Sequence, residues 1–361
     1  MRKVAKLFLI ISFICITGCV PSKKILEEIQ IVQAAGYDPA EGGDENALRG
    51  TAGSAYIPPV EGEMSRNIVF SAVGNTSKQI RQSIQSKSSK PIEIGRIGIL
   101  IFNEELAKKG VMNIIDNFQR DPHIGRDIYL VVSEGSAYDI LNADYLEGES
   151  SPQYITDIVH QNMDRTIPKV DLHRFLFQHE SKGFDPFMPI IKKEKEQIAV
   201  QGIALFNSDK YVGRISLKDS YIFKMLFEDI RQGQLETKWK DKYVSIQNLD
   251  SNSDYEIRKQ NGQYEAKFTI ELDGRVSESG GLDLTKKKNI ENIERATEKE
   301  IKKQVEALLA KFKKLNVDPL GIGDKARQKG LYKKASWNSQ YQQLPVKVHV
   351  SVNVVQAGIM E

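Results

Sequence analysis

The sequence predicts an α+β protein of more than one domain, with mixed and antiparallel sheets, packed helices and a long amphipathic helix toward the C-terminal end. Three observations carry that expectation. Apolar strands alternate with amphipathic helices from Ile68 to Asn142, strand-like runs follow one another between 243 and 273, and an unbroken helical period extends from Ile290 to Leu315. At 361 residues the chain is long enough for two or three domains.

The first element stands outside that fold. Arg2, Lys3 and Lys6 precede a short apolar run from Leu7 to Ile16, and Thr17 and Gly18 are small residues at a cleavage position, the pattern of a secretory signal. The run falls short of the ~20 residues that span a bilayer as a helix. Ile16, Thr17, Gly18 and Cys19 resemble a bacterial lipobox, in which the chain is cut after Gly18 and the Cys19 thiol carries a diacylglycerol. Cys15 and Cys19 are the two cysteines of the chain. On this reading Cys15 leaves with residues 1–18 and Cys19 is capped as a thioether, so no thiol remains for a disulfide, a metal or covalent catalysis. The bland alternative is an ordinary cleaved signal in which Cys19 is incidental.

Cleavage also settles the charge. Residues 1–18 hold three basic side chains and no acid, so 51 Lys plus Arg falls to 48 against 48 Asp plus Glu. A neutral body does not suggest a nucleic-acid partner. Attachment to a membrane would rest on the lipid, which holds at ~0.8 kcal/mol per buried methylene.

After Cys19 a short polar segment leads to a first strand at Ile29, Ile31 and Val32. About ten extended residues reach only ~30 Å, which keeps the folded body near the membrane surface. Residues 36–66, rich in Gly, Pro and acids, read as loop with one or two strands, one of them near Ala55 to Ile57. Ile68 to Val73 is a strand and Ser77 to Ser86 a helix with Ile80 and Ile84 on one face. Ile97 to Phe102 is a continuous apolar strand, and Glu104 to Phe118 is expected as one helix carrying Leu106, Val111, Ile114, Ile115 and Phe118. Ile128 to Ser133 is a strand, and Ala137 to Asn142 a short helix. Continuous apolar strands between amphipathic helices imply a sheet covered on at least one face.

Residues 147–152 read as a break, followed by helices at Ile155 to Met163 and Leu172 to His179, with a second break at Gly183 to Pro189. Ile198 to Phe206 and Tyr211 to Ile215 form a hairpin through the polar turn at 207–210, and Asp219 is expected to cap a helix that runs through Ile230 and stops at Gly233. This middle piece is too small to stand alone and should pack on its neighbours or recruit 151–190. Strands are expected at 243–249, 254–259 and 263–273, with Asn261 and Gly262 as a turn. In the long helix, Ile290, Ile293, Thr297, Ile301, Val305, Leu308, Phe312 and Leu315 step by three and four, and the lysines and glutamates around them read as a solvated face. Asn316, Asp318 and Pro319 stop it. Val346 to Val355 alternates as a half-buried strand. The expected units are 1–18 (signal), 19–190 (N-terminal domain), 191–237 (small middle domain) and 238–361 (C-terminal domain).

No nucleophile elbow, phosphate loop, zinc-protease helix or dinucleotide fingerprint occurs. Gly321 to Lys325 mimics a phosphate loop but lacks the preceding strand and full spacing. His160, His173, His179 and Glu180 crowd together in sequence, yet six helical residues turn a side chain by ~240°, so His173 and His179 point apart. His123 and His349 have no acid or thiol beside them. Glu27 with Glu28 and Glu104 with Glu105 are adjacent pairs that do not converge on one helix face. The expectation is no catalytic, metal or cofactor site.

Five stretches carry a family resemblance: the lipobox ending in Gly18 and Cys19, GRIGILIFNEELAKKG from Gly95 to Gly110, RDPHIGR from Arg120 to Arg126, GIALFNSDKYVG from Gly202 to Gly213, and LNVDPLGIG from Leu315 to Gly323. In their order and spacing the chain resembles the Ger(x)C lipoproteins, the C subunits of nutrient germinant receptors in spore-forming bacteria, over nearly its whole length. One departure is local: many members place Trp-Asp after the lipid cysteine, where Val20 and Pro21 stand here. The resemblance implies a three-domain, non-enzymatic α+β protein, lipid-anchored through Cys19 on the outer face of the spore inner membrane, working with two integral-membrane subunits, A and B. A rival reading is an extracytoplasmic solute-binding lipoprotein of a transporter, which requires two similar lobes and a cleft. A third, a cell-wall enzyme, requires facing carboxylates or a metal site.

Overall fold

Two sheets organise the chain in the computed structural model, which describes residues 28–42, 44, 46–56, 66–145, 149–260 and 263–356. Gly18, Cys19 and the Asn261–Gly262 turn lie outside the described residues.

The strand and helix rhythm builds the first sheet. It contains β1 (Gln30–Pro39), β2 (Leu48–Tyr56), β3 (Arg66–Gly74), β4 (Ile92–Glu93), β5 (Ile99–Asn103), β6 (Tyr129–Glu134), β7 (Phe187–Glu194), β8 (Gln197–Asn207) and β9 (Lys210–Ser216). Their order is β3-β2-β1-β5-β6-β7-β8-β9, with β4 beside β1. The central strands β1, β5, β6 and β7 run parallel, and antiparallel strands extend the sheet on both sides. In β5, Ile99 and Ile101 face one core while Leu100 and Phe102 face the other, and all four are fully buried. Burial on both faces is why this strand reads as an unbroken apolar run.

Helices α1 (Ser77–Gln85), α2 (Glu104–Lys109), α3 (Met112–Arg120) and α6 (Leu172–Glu180) supply one core, and α4 (Ala137–Leu141), α5 (Ser151–Arg165) and α7 (Leu217–Phe227) the other. The single helix expected from Glu104 to Phe118 is divided at Gly110. That residue sits at φ +125, and a Cβ there would come within 2.6 Å of Asp209 Oδ2. Asp209 then starts α3, its carbonyl accepting from Val111 N (3.1 Å) and its carboxylate from Met112 N (3.2 Å). Helical period could not reveal the interruption, because the apolar residues of both helices feed the same core.

Further expectations need correction. The break at Gly183 to Pro189 ends early, since β7 begins at Phe187; β6 pairs with β7 only from Ile190, so Pro189 lies outside that ladder. The α7 cap is Ser216, which accepts from Asp219 N (3.2 Å); Asp219 lies in the first turn and accepts from Ser216 Oγ, and α7 ends at Phe227. Through β7 to β9 the hairpin of the middle segment extends the first sheet, and the border expected between 190 and 191 falls inside β7.

The second sheet has the order β10-β11-β12-β13, from β10 (Gln234–Trp239), β11 (Lys242–Gln260), β12 (Gln263–Glu278) and β13 (Val346–Gln356). The separate strands expected at 243–249 and 254–259 are one strand, β11. A register shift between Asn248 and Asp250 bends it, and Ser251 exchanges backbone hydrogen bonds with Ile230 in the segment arriving from α7. Buried Asn248 and Ser251 serve that junction, which is why the apolar alternation lapses there. β10 had no expectation in the sequence.

Helix α8 (Lys287–Leu315) packs on this sheet through Ile293, Thr297, Ile301, Val305, Leu308 and Phe312, all buried. It ends at Asn316 in the left-handed region (φ 54). Two short helices that the turn-rich sequence concealed, α9 (Ile322–Gln328) and α10 (Lys334–Gln343), complete the crossover to β13, which runs parallel to β12. Val348, Val350 and Val352 face the core, as the alternation predicted. The architecture is α+β. One core passes continuously from the α7 side of the first sheet into the second: the Phe223 ring lies 5.0 Å from Phe187 and 5.6 Å from Phe312.

Candidate functional site

The polar residues singled out in the sequence do not assemble. His160 Nδ1 is 2.8 Å from Tyr129 Oη, and its Nε2 is 3.6 Å from Asp164. His173 donates its backbone N–H to Arg126 O, and the His179 ring stacks on Phe175. His123 closes its own turn on Asp121, and His349 projects from β13 into solvent. Glu104 and Glu105 share Lys108 at 3.1 and 2.7 Å. Lys325 pairs with Asp254 (2.8 Å) and lies over the Tyr255 ring, so the Gly321 to Lys325 stretch is a helix start. Among the described residues no group of three His, Cys, Asp or Glu side chains is placed to hold a metal ion. Glu27 lies outside the described residues and Glu28 is exposed.

The structure instead brings together the recurrent stretches. Gly110 meets Asp209, linking 95–110 to 202–213. Asn207 Nδ2 donates to Asn316 O (2.9 Å), and a Cβ on Gly213 would lie 2.7 Å from the Leu315 side chain, linking 202–213 to 315–323. The stretch 120–126 lies apart from these contacts and receives α6, through Arg126 O, and α1, through Asp121 with Arg81 at 3.7 Å. Turn, cap and core residues in three of the stretches thus interlock across the seam between the two sheets.

At the centre of that seam lie a buried carboxylate, Asp318, and a partly buried one, Asp185, which are far apart in sequence and were not singled out as a pair. Asp185 N donates to Asp318 O (3.0 Å), and Asp318 N donates back to Asp185 Oδ2 (2.7 Å). Asp318 also accepts from Ile322 N (3.0 Å) and Gly323 N (2.6 Å), while Asp185 accepts from Ser208 N (3.3 Å). Burial pushes the Asp318 carboxyl up to about 7, the neighbouring Asp185 adds to the shift, and the backbone donors oppose it. Burial raises Asp185 as well. Each carboxylate accepts from two backbone N–H groups, so the pair clamps three chain segments.

Lys224 on α7 is a buried basic side chain, 2% exposed. Its Nζ donates to Met163 O, to Ile167 O (3.1 Å) and to Glu228, closing the C-terminal end of α5. In sequence Lys224 and Glu228 look like any solvated pair four residues apart. Two cavities accompany these features. One of about 270 Å³ lies between α1 and the first sheet, lined by Tyr37, Gly50, Ala52, Ile80 and Ile84 among others. The other, of about 280 Å³, lies at the seam beside Gln178, Phe184 and Tyr255.

Comparison with known proteins gives this architecture its relatives. Residues 22–193 match the family model described as spore germination protein N-terminal domain, and residues 201–358 match the one described as spore germination B3/GerAC like, C-terminal. The chain belongs to this spore germination family. It is 32% identical to spore germination protein GerQC of Bacillus cereus, across 98% of this chain and 99% of that one. It is 26% identical to the putative spore germination protein YfkR of Bacillus subtilis (strain 168), across 88% and 84%. The crystal structure of the GerBC protein shares the fold, with a TM-score of 0.59 over 90% of this chain and 99% of that chain at 17% identity. The family resemblance read from the five stretches is therefore correct. The boundary between the two matched family regions falls across the β7–β8 hairpin, within the first sheet.

Proposed function

We propose that the chain is a non-enzymatic, lipid-anchored subunit of a nutrient germinant receptor, acting with two integral-membrane subunits, A and B, at the outer face of the spore inner membrane. One observation carries the reading: two spore germination family models match in succession from residue 22 to residue 358, so the family's architecture accounts for nearly everything after the expected cut. The lipobox supports the anchor, and no described helix is long and apolar enough to cross a membrane. At the seam the Asp318 and Asp185 carboxylates serve as acceptors for backbone donors that join the chain segments. The solute-binding rival requires two similar lobes, and a nine-stranded sheet beside a four-stranded one offers little support for it.

Deleting the chain should abolish germination in response to one class of nutrient while non-nutrient triggers still act; a normal nutrient response in the deletion strain would sink the reading. The anchor has its own test. Cys19→Ala should release or misprocess the protein, read by membrane fractionation and by loss of labelled lipid. A variant that stayed membrane-bound and fully active without lipid would remove Cys19 from the account.

A further inference from the structure

The neutral total of the chain conceals a segregated charge. Residues 311–334 hold eight basic side chains, and their two acids, Asp318 and Asp324, are buried. Arg327 pairs with Asp324 (2.7 Å) and Lys325 with Asp254 (2.8 Å). Lys313 Nζ donates to Leu344 O (2.5 Å) and Gln342 Nε2 to Lys313 O (2.6 Å), which binds the end of α10 to the end of α8. The other five, Lys311, Lys314, Lys329, Lys333 and Lys334, are exposed, and among the described residues none of them has an ion-pair partner. A solvated helix face ordinarily interleaves the two signs, as α8 does from Lys287 to Glu306; the exposed charge of this compact crossover has one sign.

The first sheet says where this surface sits. Strands β1, β5, β6 and β7 run parallel and so begin on one edge of the sheet. Asp185, two residues before β7, and Asn207, at the end of antiparallel β8, lie at that edge, and they hold Asp318 N (2.7 Å) and Asn316 O (2.9 Å) at the start of the crossover. At the same edge the chain enters β1 at Gln30, whose N–H donates to Pro91 O (2.8 Å). Cys19 stands eleven residues earlier, so a lipid attached there lies within roughly 35 Å of Gln30. The tether and the basic crossover share one edge of the molecule.

We infer that the exposed lysines of the crossover rest on an anionic phospholipid surface, as a second contact beside the lipid on Cys19. Headgroup phosphates supply dense opposite charge with no required register, which suits flexible lysine side chains spread over helix ends and a loop. Such attraction fades within a Debye length, ~8 Å at physiological salt, so it acts on a body already held close, as the short tether would hold it. The contact sets which edge of the first sheet faces the membrane and turns the β7–β8 hairpin turn away from it. The membrane in this inference rests on the anchor reading, and the lysine surface does not.

The test sediments residues 20–361, which keep both sheets and every described contact and lack the lipid cysteine, with vesicles of phosphatidylcholine or of equal parts phosphatidylcholine and phosphatidylglycerol. The protein should bind the mixed vesicles at low salt, leave them as salt is raised, and ignore the neutral ones. Lys329→Gln, Lys333→Gln and Lys334→Gln together should weaken that binding by at least roughly tenfold. Lys193→Gln, Lys195→Gln and Lys218→Gln, at the opposite edge of the first sheet, should leave it unchanged. All six side chains are exposed, so neither set removes a core contact. In the lipidated full chain, Lys329, Lys333 and Lys334 should react more slowly with an amine label on anionic than on neutral vesicles. No binding to the mixed vesicles, equal binding to both kinds, equal losses from the two sets of substitutions, or labelling indifferent to vesicle charge would overturn the inference. Because sedimentation is done without the lipid, its failure is distinct from failure of the anchor, which Cys19→Ala reads by fractionation.

Discussion

Asp318 illustrates how a residue's chemistry is set by a place the sequence does not announce. In the unfolded chain it titrates near ~3.9; in the fold burial raises it to about 7. Between those values the folded state holds a proton that the unfolded state lacks, so this contribution to stability is complete below about pH 4 and is lost as pH rises through about 7. At ~1.4 kcal/mol per unit the loss is at most about 4 kcal/mol. Asp318→Asn should flatten the fall of unfolding free energy between pH 4 and 8, measured by urea titration at stepped pH; an unchanged slope would mean that another group carries it. From the sequence Asp318 was legible as part of a helix stop, which it is. Its contact with Asp185 was not, since a pairing across 133 positions leaves no local signature. The same holds for Lys224, a buried side chain whose partners are the Met163 carbonyl in α5, the Ile167 carbonyl just beyond it and Glu228.

Among the elements, period and alternation were readable wherever one core face dominates. The long helix, the apolar central strands and β13 all fell where their apolar spacing put them. Legibility failed where tertiary contacts cut across a continuous pattern, as at Gly110. Gly110→Ala should destabilise the protein by about 1–3 kcal/mol, because it forces a side chain into a left-handed φ and against the Asp209 carboxylate. Denaturant unfolding gives the magnitude, and a neutral result would mean that the α2–α3 joint relaxes freely. The solvated face assigned to α8 was also incomplete. Glu294 Oε1 accepts from Val354 N (2.9 Å) and Glu298 Oε1 from Val352 N (3.2 Å), so two of those glutamates cover the outer edge of β13. Replacing both with alanine should lower stability by about 1–3 kcal/mol and promote self-association, which light scattering at matched concentration would detect.

For the whole molecule, the two sheets share one hydrophobic core, with Phe223 between Phe187 and Phe312. Phe312→Ala should cost about 3–5 kcal/mol. Hydrogen exchange should show amides of β5 to β7 losing protection together with those of β11 and β12; loss confined to the second sheet would mean that the halves unfold separately. The α+β class and the family were legible because they rest on patterns repeated along the chain. The attachment of β7 to β9 to the first sheet was not, because a hairpin reads identically whichever sheet receives it. The parallel pairing of β12 with β13 has a temporal consequence. β13 has no place to dock until the intervening crossover from Ser279 to Pro345, with α8 at its centre, has taken shape. Such distant pairings form slowly, after local helices and hairpins, so the β10–β11–β12 meander should assemble first and carry an open flank for part of the folding time. During that interval, rather than in the finished molecule, the chain is most vulnerable to pairing with a neighbour.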